Sequence, residues 1–180
     1  MPQAAGVDLA GSRRRPTGVA VLRGGVLAAF EVFGDRELLE AIRGSRVVAV
    51  DSPLTLPRRL RGFRDVDIAL KKMGYRVLPP LWPHMRLLTL RGIALSHLLS
   101  EAGVHVIETH PRSALLASGC RDPLGLIEKI LPGITTRVYR RSRHVLDAIV
   151  CLAVAIAWIR GSAVPVEGGE GVIYLLPKLC

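Results

Sequence analysis

Three apolar runs in this chain each end in a single carboxylate: Ala4-Ala5-Gly6-Val7-Asp8, Val47-Val48-Ala49-Val50-Asp51 and Val104-His105-Val106-Ile107-Glu108. A fourth acid, Asp147, interrupts the apolar stretch from His144 to Val150. Short aliphatic runs of this kind read as buried strands. Charge at the end of a buried strand is costly unless something pairs with it. Three acids at strand ends and one in an apolar helix imply a place where carboxylates are gathered for use, and the use that fits is holding a divalent metal.

With 180 residues the chain is long enough to bury a substantial core, and a single domain over 1–180 is the simplest organisation. Hydrophobic residues make up 49% and aromatics only 4%, so the core is aliphatic, which favours α/β over an aromatic-rich sandwich. The formal net charge of +10 favours a polyanionic partner through counterion release, and nucleic acid, DNA or RNA, is the expected one. An Arg-rich surface in a thermophile would give the same excess, and the absence of Asn with a single Gln points that way.

Cys120, Cys151 and Cys180 are odd in number and widely spaced, with no zinc-type spacing and no signal peptide before the first strand. A cytoplasmic location with reduced thiols is the expectation, with Cys151 a small core residue. The apolar stretch Val145 to Ile159 runs 15 residues and contains Asp147. A membrane span needs roughly 20, so a covered core helix is expected and no membrane partner. The oligomeric state is left open, a homodimer included.

The order of elements follows from turn and cap signals. A strand ends near Asp8; Thr17 to Leu22 and Val26 to Phe33 form a hairpin around Arg23-Gly24-Gly25. Asp35 begins a helix to about Arg43, and Arg46 to Asp51 is the fourth strand. A Pro- and Arg-rich segment, a short helix through Lys72 and a long helix from Met85 to Ala102 lead to a fifth strand, Val104 to Glu108. Pro111 opens helical material to about Ile130, and Ser142 caps a final helix, Arg143 to Ile159. For Gly171 to Leu176 the sequence leaves an edge strand and a packed extension equally open. The crossover rule makes the fourth strand parallel to the first. If the two are neighbours, about 4.8 Å apart, Asp8 and Asp51 can reach one ion.

Two carboxylates about 4 Å apart repel by about 4 kcal/mol at an effective dielectric of 20. A divalent cation reverses that, and oxygen donors select Mg²⁺ or Mn²⁺. Asp8, Asp51, Glu108 and Asp147 are therefore the candidate catalytic and metal-binding residues, enough for two ions in a phosphoryl-transfer site. His144 shares a helix face with Asp147 and is a candidate to orient a nucleophilic water. Arg13 and Arg14, Arg58, Arg61 and Arg64, and Arg140 and Arg141 lie in basic runs near the acid-bearing ends and are candidate phosphate contacts. Arg112 is open to two roles, contacting phosphate or neutralising Glu108.

With these residues located, the chain resembles the RNase H-like superfamily and, more narrowly, domain-of-unknown-function family 429, described as predicted RNase H-like nucleases. The matching segments are Gly6-Val7-Asp8-Leu9-Ala10, Val48-Ala49-Val50-Asp51-Ser52-Pro53-Leu54, Phe63-Arg64-Asp65-Val66-Asp67, Val106-Ile107-Glu108-Thr109-His110-Pro111-Arg112 and Val145-Leu146-Asp147-Ala148. The last, with His144 before it, is also similar to RuvC-type resolvases. The resemblance implies a mixed five-stranded sheet of order 3-2-1-4-5 with helices on both faces and a metal-dependent nuclease site. Asp8, Asp51 and Asp147 match the acids of the first strand, the fourth strand and the last helix. RNase H takes a further acid from its first helix, where this chain offers only Glu37 or Glu40, and Glu108 stands as the substitute.

Two other classes share the fold core. An actin-like ATP-dependent phosphotransferase would use Gly6-Val7-Asp8-Leu9-Ala10-Gly11-Ser12 as a phosphate loop, but the chain lacks a second such loop and is short for two domains. A non-catalytic nucleic-acid-binding module would keep the basic face without the chemistry.

Overall fold

The computed structural model describes residues 3–59 and 62–180. Its elements in chain order are β1 (Ala4–Asp8), β2 (Thr17–Arg23), β3 (Val26–Val32), α1 (Gly34–Ile42), β4 (Val47–Asp51), α2 (Asp65–Lys72), α3 (Arg86–Glu101), β5 (His105–Thr109), α4 (Pro111–Ser118), α5 (Pro123–Ile130), β6 (Thr135–Val138), α6 (Arg143–Ile159), β7 (Val164–Gly168) and β8 (Gly171–Leu175). The strands form one mixed sheet in the order β6-β3-β2-β1-β4-β5-β8-β7.

The expected order 3-2-1-4-5 forms the middle of this sheet, but the expectation of five strands is corrected to eight. Two of the additions, β6 and β7, lie where apolar patterning is weakest. β6, Thr135-Thr136-Arg137-Val138, is an exposed edge running parallel to β3. β7 carries Pro165 and Glu167 on the opposite edge, where a missing N–H is tolerated. The tail is neither an edge strand nor a packed extension: β8 is an inner strand, parallel to β5 and antiparallel to β7.

The β2–β3 hairpin turns on Gly24 and Gly25, whose φ values of 53° and 80° are those of a type I′ turn. β1 runs parallel to β4, and β4 to β5, so Asp8, Asp51 and Thr109 all lie at the carboxyl end of the sheet. That is the end at which open α/β sheets bind ligands.

Two aliphatic layers sandwich the sheet. On one face Val7, Val19, Val48 and Val50 pack with Leu38 and Ile42 of α1 and Leu95 and Leu99 of α3. On the other, α6 is buried on nearly every side from Ala148 to Ala157, together with Leu126 and Ile127 of α5. This explains a helix apolar all round without a membrane. Among the described residues no helix is long and apolar enough to cross one.

Glycine sets how closely α6 approaches. A Cβ on Gly6 of β1 would lie 2.1 Å from the Leu152 nitrogen, so the helix rests on bare strand backbone. Gly18 of β2 faces the first turn of α6 in the same way. This close seat brings His144 and Asp147 down to the ends of β1 and β4.

The cysteine expectation is corrected in part. Cys151 is free and buried in α6, while Cys120 and Cys180 form a disulfide across 60 residues of chain. Sequence distance hid the pair. The tail returns past β8 to the end of α4, where the Leu179 and Cys180 amides donate to the Ser118 carbonyl.

Candidate functional site

The site is built from one row of the sheet and one helix start. Asp8 and Asp51 are directly paired in the parallel β1–β4 register, which sets two carboxyls side by side on neighbouring strands. Like charges so placed favour the protonated form of each. Burial, then the neighbouring charges of Asp8, Asp147 and Glu108, push the Asp51 carboxyl well above the usual range. Asp8 is also raised, mainly by burial, with the His144 hydrogen bond opposing the shift.

α6 delivers two more groups. Ser142 caps the helix by accepting from the Val145 amide at 3.3 Å, which fixes the first turn. His144 Nδ1 then lies 2.7 Å from Asp8 Oδ2, with the rest of the ring partly exposed. One turn on, Asp147 lies 3.5 Å from Arg143 Nε. Burial raises the Asp147 carboxyl and Arg143 partly offsets the effect.

Glu108 has a different environment from the one expected of a metal ligand. It is 7% exposed, and its two oxygens receive Arg64 Nη1 and Nη2 at 2.8 and 2.5 Å. The Leu54 amide also donates to it at 2.8 Å. Burial raises its carboxyl, and Arg64 pulls the other way. Three donated hydrogen bonds tie β5 through Glu108 to Arg64 and to the loop after Asp51.

The same network corrects Arg64, expected to contact phosphate. Arg64 is 1% exposed and forks between Glu108 and Asp67, reaching Asp67 Oδ1 at 2.8 Å and Thr55 Oγ1 at 2.9 Å. A guanidinium with all its directions satisfied inside the protein has none left for a ligand. Asp67 shows in sequence only as part of a motif; its burial follows from the packing of α2 against β7 and β8, far along the chain, which local patterning does not reveal.

The other basic candidates are scattered. Arg13 pairs with Asp35 at 2.6 Å, and Arg58 reaches the Gly169 carbonyl at 3.5 Å. Arg14 and Arg141 are exposed, and Arg140 pairs with Glu31 at 2.9 Å. Arg61 lies outside the described residues. Arg112 is exposed and lines a cleft of about 430 Å³ whose wall also includes Asp51, Asp147, Arg143 and Arg76. Arg76 had no signal in the sequence because it stands in an irregular segment. The far wall of the cleft is apolar: Val77, Leu78, Met85 and Leu88.

The donors of Asp8, Asp51 and Asp147 are hard oxygens, held close enough to raise one another's carboxyls, and a divalent cation relieves that repulsion. Among the described residues no group of three or more His, Cys, Asp or Glu side chains is arranged to hold a metal ion. Carboxylate oxygens are the donors that divalent cations such as Mg²⁺ and Mn²⁺ take, with water filling the rest of the shell.

No protein-family model matches the chain, domain-of-unknown-function family 429 included, and no curated protein matches it. Among solved structures it is similar to Thermus thermophilus RuvC in complex with Holliday junction substrate, with a TM-score of 0.50 and 16% identity over 90% of this chain and 98% of that one. A second Thermus thermophilus RuvC structure aligns with a TM-score of 0.45 and 18% identity over 94% and 99% of the two chains. At such identity the first likeness establishes the architecture alone: the chain has an RNase H-like mixed α/β fold.

Proposed function

We propose that this protein is a nuclease that hydrolyses phosphodiester bonds of nucleic acid with a bound Mg²⁺ or Mn²⁺. The observation that carries the reading is the direct register pairing of Asp8 with Asp51 at the carboxyl end of parallel strands, with both carboxyls pushed up. Structural acids in a fold are normally paired with a cation, as Glu108 is with Arg64. Asp51 has carboxylates as its principal charged neighbours, which suits a group that waits for a ligand.

Asp8 and Asp51 would hold the ion, with Asp147 completing the site from α6. A bound divalent cation supplies Lewis acidity to the scissile phosphate and lowers the pKa of a coordinated water. His144, fixed by Asp8, would orient and accept the proton of the attacking water. Arg112, Arg143 and Arg76 in the cleft wall would neutralise flanking phosphates. Glu108 and Arg64 act one step back, holding the Ser52–Thr55 loop and with it the position of Asp51.

The RuvC to which the chain is similar is described in complex with a Holliday junction, so four-way junction DNA is the first substrate to offer, with single-stranded DNA and RNA beside it. The test is cleavage of these substrates in Mg²⁺ or Mn²⁺ by wild type and by Asp51→Asn. Cleavage by the wild type alone is expected; equal cleavage by both would reject the assignment.

A further inference from the structure

The basic run at the β6 edge contains an exposed aromatic residue that the proposed chemistry does not use. Tyr139 follows β6 directly, and its amide donates to the Ala29 carbonyl at 3.0 Å, extending the β3–β6 pairing by one residue. Its ring meets Phe30 edge to face, with centroids 6.3 Å apart and an interplanar angle of 77°. The residue is nevertheless 70% exposed. Tyr139 is thus an aromatic post, tied to β3 through its backbone, braced by Phe30 and largely open to solvent.

Arginines flank it along the chain. Arg137, Arg140, Arg141 and Arg143 are all exposed, and of the acids nearby Glu31 is 8% exposed and already paired with Arg140. The post is level with the catalytic acids along the strands but packs on Phe30 of the α1 face, whereas Asp8 faces α6. A nucleic-acid strand that joins the two therefore rounds the exposed β6 edge, where Arg140 holds Glu31. Asp51 pairs with Asp8, Asp8 with Gly18, and Gly18 with Glu31, so one row crosses four strands and ends at the carboxylate that Arg140 holds. Adjacent strands are about 4.8 Å apart, which places Glu31 about 10 Å from Asp8 across the row. Along the chain, Tyr139 lies five residues before His144, at most about 18 Å between their Cα atoms.

We propose that Tyr139 and the arginines from Arg137 to Arg143 form a track for unpaired nucleic acid, with a base stacked on Tyr139 and its phosphates led by the arginines toward the acid cluster. The track rests on the nucleic-acid reading above and narrows it to substrates with an unpaired segment beside the scissile bond. An open aromatic face accepts any base, whereas bases inside a duplex are already stacked on one another and do not present theirs. A ring held by a backbone hydrogen bond and by Phe30 loses little freedom on binding.

The test measures binding without cleavage. Fluorescence anisotropy in EDTA compares a labelled short oligothymidine with a blunt duplex of the same length, for wild type, Tyr139→Ala and Tyr139→Phe, with thermal melts to confirm folding. Stacking is worth about 1–3 kcal/mol per base, so Tyr139→Ala should weaken single-strand binding about 5- to 150-fold and leave duplex binding nearly unchanged. Tyr139→Phe should bind as the wild type does. Equal weakening of both ligands, no weakening of either, or a wild type that binds neither overturns the track. Because no metal is present, loss of cleavage activity alone leaves this result untouched, and a failed track leaves the nuclease assignment to its own substrate screen.

Discussion

Asp8 and Asp51 stand opposite each other in register on neighbouring parallel strands, while His144 is bonded to Asp8 and Arg143 to Asp147. Among the described residues Asp51 has no salt bridge, and the charges that push its carboxyl up are those of Asp8, Asp147 and Glu108. Such a group costs folding stability, and a fold keeps one where function needs it.

Asp51→Asn should make the metal-free protein more stable at neutral pH. The Asp51 carboxyl is raised above its ordinary value of 3.8, mainly by burial and then by Asp8, Asp147 and Glu108. A raised acid contributes stability that is fully present below the unfolded value and lost as pH rises through the folded one. The variant's advantage should thus be largest at neutral pH and vanish near pH 3.8 and below. Thermal melts in EDTA across that range check it, and a variant less stable than wild type at neutral pH would count against the acid cluster. Added Mn²⁺ should raise the melting temperature of the wild type and not of Asp51→Asn.

Gly18→Ala should damage the fold. The new Cβ would stand 1.9 Å from the His144 carbonyl oxygen, which is backbone and cannot swing aside. Overpacking of this kind costs about 1–3 kcal/mol. The first turn of α6 should lift, taking His144 away from Asp8. Chemical denaturation reads the stability, and the nuclear magnetic resonance signals of His144 read the lost contact; an unchanged spectrum would contradict this seat for α6.

Glu108→Gln should be strongly destabilising, because it leaves Arg64 buried with half its charge unanswered. Breaking a buried pair by removing one partner costs about 3–5 kcal/mol. The double variant Glu108→Gln with Arg64→Met should recover part of that loss in urea denaturation. Metal binding should survive in whatever fraction stays folded. If Glu108→Gln is stable and has lost Mn²⁺ affinity, Glu108 is a ligand after all.

Reduction of the Cys120–Cys180 disulfide should lower thermal stability. The bridge closes 60 residues of chain, and constraint of the unfolded ensemble by such a loop is worth about 4 kcal/mol. For a chain of this size that corresponds to about 8–16 °C in melting temperature. Melts with and without a thiol reductant, and of Cys180→Ser, measure it. Identical melting in both conditions would mean that the bridge constrains little.

What the sequence revealed and what it hid separate along physical lines. β1, β4 and β5 were legible because each is a run of aliphatic residues bounded by a turn, and their acids were legible as the one polar residue in each run. The final helix was legible from its length and from Ser142. β6 and β7 were not, since exposed edge strands have no apolar alternation to betray them. The different fates of the acids were equally hidden. Asp8, Asp51 and Glu108 look alike in sequence, and only the fold brings Arg64 from 44 residues away onto Glu108 and, among the described residues, leaves Asp51 without a salt bridge. Composition likewise showed an excess of arginine but not its placement: Arg64 is buried in ion pairs behind the cleft wall, while Arg112 and Arg143 are exposed along it.

Asp8 and Asp51 are thus proposed as a pair waiting for a cation, and anomalous diffraction from a crystal of the whole chain soaked in Mn²⁺ tests this at the atoms concerned. A peak is expected between the Asp8 and Asp51 carboxylates, and none in Asp51→Asn crystals. A well-ordered wild-type site with no peak between the two carboxyls, at Mn²⁺ concentrations that label other sites, would overturn the assignment.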